Sequence, residues 1–162
     1  MDSSNVQNLL ASAIRKTGAE VVLCGKQAAD TNSGSTGPGV ASILGFTCVG
    51  MVSEVSMEGD GFVAMRTSPS GNEKVSVSKP CLFAFDKAAT EMRRPNVRGI
   101  MMAKKKAVES LTPADLGVTM EGSRVSLESH SAPAEKPPGQ KFEGAASVPT
   151  VVSKLRDEAN VI

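Results

Sequence analysis

From Glu20 to Gly45 the chain reads EVVLCGKQAADTNSGSTGPGVASILG: an apolar β-branched run, a loop of glycine and small polar residues, then a second apolar segment. A continuously apolar run of this length suits a strand covered on both faces, as parallel strands are. Pro38 can open a helix that carries Val40, Ile43 and Leu44 and stops at Gly45. Upstream, Val6, Leu9, Leu10, Ala13, Ile14 and Thr17 recur at helical spacing, with Ser4 and Gln7 placed as a capping box and Gly18 as a stop. Helix, buried strand, glycine-rich loop and helix is the order in which an α/β domain is assembled.

Beyond Gly45 the texture changes. TCVGMVSEV (47–55) and GFVAMRT (61–67) read as strands joined by the hairpin turn SMEGDG, and SPSGN leads on to EKVSVSKPCLFAFD. Proline cannot sit centrally in a ladder, so Lys79-Pro80 ends one strand before the next begins at Cys81. The expectation is three antiparallel strands followed by a buried one. Residues 113–147 are rich in Pro, Ser, Glu, Lys and Gly with little periodicity, the composition of an extended arm. SVPTVVSKLRDEANVI then regains helical character, with Ser147 as cap, Pro149 in the first turn, and Val151, Val152 and Leu155 on one face. The expected organisation is a domain over 1–112 and an arm with a terminal helix over 113–162.

Composition narrows the function classes. Eighteen basic residues against 17 acidic ones leave a net charge of +1, so no global field draws the chain to nucleic acid or to a membrane surface. No apolar run approaches the roughly 18 residues of a membrane span, and the first residues lack the basic and apolar regions of a signal peptide, so a soluble chain is expected. The three cysteines, Cys24, Cys48 and Cys81, are scattered without metal-ligand spacing and suit a reducing compartment. With no Trp, no Tyr and five Phe, the core must be built mainly from aliphatic side chains.

Two stretches carry candidate chemistry. The loop from Gly25 to Thr36 leaves the carboxyl end of a strand and enters a helix, where backbone N–H groups favour an anion. Ser35 and Thr36 offer hydroxyl donors and Asp30 an acceptor for a ribose hydroxyl, yet neither GxxxxGK[ST] nor GxGxxG is present, and a plain surface loop is the competing reading. The second stretch, TEMRRPNVRGIMMAKKKAVES (90–110), surrounds Val97, Ile100, Met101 and Met102 with Arg93, Arg94, Arg98 and Lys104 to Lys106. It reads either as a solvated charged face beside a core helix or as a docking loop, for which methionine is adaptable. Without stacking aromatics an RNA patch is a weak reading. The single histidine, His130, lies in the polar arm, and Cys24 has no histidine near it, so no catalytic or zinc constellation emerges.

EVVLCGKQAAD, TGPGVASILGF, EKVSVSKPCLFAF and RGIMMAKKKAVESLTPADLGV occur here in the order and spacing that mark electron transfer flavoprotein β subunits. The chain resembles that family over almost its whole length, most specifically in the AKKK run and the ADLG segment. Glu73, Val75 and Pro80 match the family's E-x-[LIV]-x4-P core, with Arg66 upstream. The resemblance implies an incomplete Rossmann-like parallel sheet of the adenine nucleotide hydrolase-like type, with an antiparallel extension and an extended C-terminal arm ending in a helix. It implies an electron carrier subunit rather than an enzyme, with FAD held mainly by an α subunit. Acyl-CoA dehydrogenases and related flavoenzymes would donate electrons, and a quinone oxidoreductase would receive them. No nucleic acid partner and no membrane insertion are implied.

In the family, the loop matching Gly25, Lys26, Gln27, Ala28, Ala29, Asp30, Thr31, Asn32, Ser33, Gly34, Ser35 and Thr36 binds AMP, or a second FAD in electron-bifurcating relatives. By the same resemblance Glu91, Arg93, Val97, Ile100, Met101, Lys104, Lys105 and Lys106 belong to the loop that grips dehydrogenases. Val97 stands where leucine is usual, a loss of about one methylene of burial, ~0.8 kcal/mol. Met102 replaces a common lysine, and SPSG stands in place of an acidic cluster. Family members carry a further segment before the helix at Val6, roughly 90 residues, within the size of one large domain. This chain is then expected to be a fragment or a split subunit whose strand at Val21 to Cys24 has an unpaired edge, poorly stable alone. A mitochondrial matrix location, or a bacterial cytoplasm, is implied. The alternative class is an adenine-nucleotide-binding module of another kind, stress-protein-like or a nucleotide hydrolase, or an inactive truncated product.

Overall fold

The computed structural model describes residues 2–86, 92–136 and 138–162. It divides into two compact units, Met1–Ser126 and Leu127–Ile162. In the first, helix α1 (Ser3–Thr17) leads to strand β1 (Val21–Gly25), helix α2 (Thr36–Leu44), strands β2 (Thr47–Glu58), β3 (Gly61–Ser68), β4 (Gly71–Val77) and β5 (Cys81–Phe85), and helix α3 (Val97–Ala103). The five strands form one sheet in the order β1-β5-β2-β3-β4, parallel for β1, β5 and the start of β2, antiparallel from there through β4. The mixed α/β architecture and the antiparallel run ahead of a buried β5 agree with the sequence.

Alternation along β5 decides which side each residue serves. Leu82 and Ala84 pack with Ala11 of α1 and Val40 and Ala41 of α2, while Cys81 and Phe83 join Val49, Val52, Ala64 and Val77 on the opposite face. Both helices stop where glycine takes the left-handed conformation, at Gly18 (φ 67°) and Gly45 (φ 73°). β2 changes pairing partner at an irregularity where Met51 has φ 59°.

The start of α1 differs from the capping box expected at Ser4 and Gln7. Asp2 is the cap: its Oδ1 accepts from the Asn5 N–H at 3.0 Å, and Ser4 lies inside the helix. Gln7 instead reaches α2, donating to the Ser35 carbonyl at 3.0 Å. Nor is all of the polar segment after residue 112 a free arm. The other oxygen of Asp2 accepts from the Arg124 N–H at 2.7 Å, and the buried Asn5 donates to the Glu121 carbonyl at 3.1 Å, tying this stretch to α1.

These two N–H donors, Arg124 first and then Asn5, hold the Asp2 carboxyl below its ordinary value of 3.8. A depressed carboxyl stabilises the folded state above that ordinary value, and the contribution is lost as pH falls through the lower, folded value. An NMR titration should therefore place Asp2 below 3.8, with the Arg124 amide losing exchange protection as Asp2 protonates. A titration at or above 3.8 would show that the tie does not form.

β1 has the unpaired edge expected of it, being bonded only to β5, but it corrects a second expectation, that Val21 to Cys24 is buried on both faces: Leu23 is 63% exposed. An uncharged edge of this kind templates association with other chains. Leu23→Lys should lower self-association in light scattering without loss of helical signal; unchanged association would clear this edge of responsibility.

In the unit Leu127–Ile162, helix α4 (Val148–Asp157) has Ser147 at its cap position, but the Ser147 hydroxyl donates to the Glu143 carbonyl at 2.7 Å and accepts no N–H of the helix. Phe142, Val151 and Leu155 line an open depression on this unit, and Lys154 pairs with Glu158 at 2.7 Å. No helix among the described residues is long and apolar enough to cross a membrane.

Candidate nucleotide cavity and docking helix

A cavity of about 540 Å³ opens where α1, β1, α2 and β5 meet. Leu10 and Ile14 come from α1, Val22 to Cys24 from β1, Val40 from α2 and Leu82 from β5. The loop contributes Gly25, Lys26, Gln27, Ala28, Thr31, Ser33, Gly34 and Thr36. Ala29, Asp30, Asn32 and Ser35 do not line it. The Asp30 carboxylate accepts from the neighbouring Thr31 N–H at 2.8 Å, so it turns back on its own loop. Asn32, in the left-handed region at φ 50°, accepts from the Gln27 side chain at 2.9 Å, and its N–H donates to the Ala28 carbonyl at 2.9 Å. These bonds close the loop on itself beside the opening.

Gly37 is required at the floor. A Cβ there would lie 2.7 Å from Cys24 Sγ and 3.5 Å from Leu82 Cδ2, so the start of α2 rests almost directly on β1. Ser35 makes no side-chain cap to α2, and Pro38 has no N–H, which leaves the N–H groups of Thr36 and Gly37 without a side-chain cap at the positive end of the helix. Burial, with the neighbouring Cys48 adding to it, pushes the Cys24 thiol up, so it stays protonated at neutral pH and packs as a small apolar group. No cluster of three metal-binding side chains occurs among the described residues.

The sequence reading missed Leu10, Ile14, Val22, Val40 and Leu82 as walls, although each lies in an apolar period; only the packing of α1 over β1 brings them to one place. It also missed Asn96, whose side chain caps α3 by accepting from the Gly99 N–H at 2.7 Å. α3 is not a core helix, since none of its residues is buried. Val97 is 75% exposed, and Ile100, Met101, Arg93, Lys104, Lys105 and Lys106 are exposed with it. Glu91 lies outside the described residues.

A model of the electron transfer flavoprotein domain matches residues 1–116, the span that holds the sheet, the cavity and α3. The chain belongs to the electron transfer flavoprotein domain family. Among curated members, the electron transfer flavoprotein subunit beta of Bradyrhizobium diazoefficiens is 32% identical over 97% of this chain and 64% of its own length. The human subunit beta is 32% identical over 94% of this chain and 58% of its own length. A probable subunit beta of Schizosaccharomyces pombe is 32% identical over 84% of this chain and 53% of its own length. The chain thus spans between about half and two thirds of these family members.

Proposed function

We propose that this chain acts as the β subunit, or the corresponding part of one, of a two-subunit electron transfer flavoprotein, with AMP as a structural ligand in the cavity and α3 as the dehydrogenase-docking element. The observation that carries the reading is the cavity itself, built from the loop Gly25 to Thr36 inside the family-matched span.

The residues present fit an adenine nucleotide. The volume lies within the roughly 300–1,000 Å³ usual for small-molecule sites. Leu10, Ile14, Val40 and Leu82 offer apolar walls to a base, while Ser33, Thr36, Lys26 and the uncapped N–H groups of Thr36 and Gly37 suit a phosphate. Asp30, turned onto Thr31, is not a ribose partner in this arrangement.

FAD, when bound to the assembled pair, supplies the electron-carrying chemistry. The work of this chain is to bind and orient: the sheet holds the nucleotide loop at the edge of β1, and α3 presents exposed Val97, Ile100 and Met101 with a basic rim to an acyl-CoA dehydrogenase. Methionine adapts to differing partner pockets, which suits a carrier that meets several donors. Electrons then pass to a quinone oxidoreductase, and the segment 113–162 embraces the α subunit.

Co-expression with an electron transfer flavoprotein α subunit tests this. The expected result is a yellow complex with a flavin spectrum that releases AMP on denaturation. A colourless chain that ignores the α subunit but turns over ATP would replace the reading with an adenine-nucleotide module of another class.

A further inference from the structure

Among the described residues lining the cavity, Lys26 is the one that carries a charge. Its ammonium is engaged by Asp86 at 3.1 Å, and Asp86 is not part of the lining. Backbone bonds fix where the pair meets: the Lys26 N–H donates to the Phe85 carbonyl at 2.7 Å and the Asp86 N–H to the Val52 carbonyl at 3.1 Å. The two side chains therefore leave the carboxyl ends of adjacent strands at one level. With 33% and 44% of these side chains exposed, water screens the pair, and its bond is easily exchanged.

An anion in the cavity and the Asp86 carboxylate compete for the same ammonium. Resting on the nucleotide reading above, we propose that Asp86 is a positioning residue that lowers the cavity's affinity for phosphate-bearing nucleotides by holding Lys26 at the rim. Asp86 acts only through Lys26, so its influence has a signature that a merely structural residue lacks. It depends on ligand charge, on salt and on the presence of Lys26.

Calorimetric titration of the full chain with AMP and with adenosine, which differ only in the phosphate, reads all three. Asp86→Asn should tighten AMP by about two- to fivefold, the scale of an exposed ion pair, and leave adenosine unchanged. Lys26→Gln should weaken AMP, and adding Asp86→Asn to it should change nothing further. The gain from Asp86→Asn should shrink as ionic strength rises. Far-UV circular dichroism identifies a variant that does not fold, and Asp86→Ser, which removes the same charge, then carries the measurement.

AMP binding that both Asp86 variants leave unchanged or weakened overturns this inference and leaves the nucleotide reading standing. So does a gain that persists without Lys26. An unaltered chain that binds neither AMP nor adenosine overturns both.

Discussion

Phe83→Ala is expected to cost about 3–5 kcal/mol of folding stability, the usual penalty for emptying a buried aromatic site. Phe83 is fully buried in β5, the strand flanked by β1 on one side and β2 on the other. Its ring meets that of Phe62 edge to face, with centroids 5.7 Å apart and planes at 72°, a contact worth about 0.5–1.5 kcal/mol beyond burial. Domains of this size hold only about 5–15 kcal/mol in total, so the variant should sit close to its unfolding threshold. Phe83→Leu keeps most of the volume and should cost less than about 1.5 kcal/mol. With no Trp or Tyr in the chain, urea melts must be followed by far-UV circular dichroism. Equal, small losses for both variants would mean that β5 is not the centre of the core.

Gly37→Ala should destabilise by about 1–3 kcal/mol, against the ordinary gain from replacing glycine in a helix. Its new Cβ would stand 2.7 Å from Cys24 Sγ and 3.5 Å from Leu82 Cδ2, closer to the sulfur than packed atoms approach. Because the cause is one named contact, it can be relieved. Adding Cys24→Ala removes the sulfur, so the double variant should be more stable than the sum of the two single losses, a coupling a double-mutant cycle measures. Strict additivity would mean that α2 does not rest on β1 at this point. The same substitution adds a methyl group to the lining of the cavity, so under the function proposed above AMP affinity should fall with it.

Local signals in the sequence reach well into this fold. Apolar spacing marks α1 and α2, Gly18 and Gly45 mark their ends, and SMEGDG marks the β2–β3 turn, because each depends on neighbours within a few residues. What escapes depends on distant ones. The resemblance implies that the strand holding VVLC has an unpaired edge, but an apolar run by itself says that a strand is covered and not which face stays open, so the exposure of Leu23 was not legible. At the start of α1 two capping patterns overlap, and Asp2 prevails because its carboxylate serves both Asn5 and Arg124, a residue 122 positions away.

The candidate site divides in the same way. Gly25 to Thr36 was legible as a loop between strand and helix, and eight of its residues, named above, reach the cavity wall. That Asp30 folds back on Thr31, and that Leu10, Ile14 and Leu82 supply the apolar walls, follows from side-chain direction and helix packing, which spacing alone does not fix.

β2 is a single 12-residue strand that serves the parallel half of the sheet with its first residues and the hairpin with its last. The two pairings meet at Val52, with a register shift on either side of it and Met51 in the left-handed region next to it. Tension applied at β4 must therefore pass through this joint before it arrives at Phe85 and Asp86, which bond to Val52. Pulled from that end, the sheet should part first at this joint, and the cavity walls on β1 and β5 should outlast the hairpin.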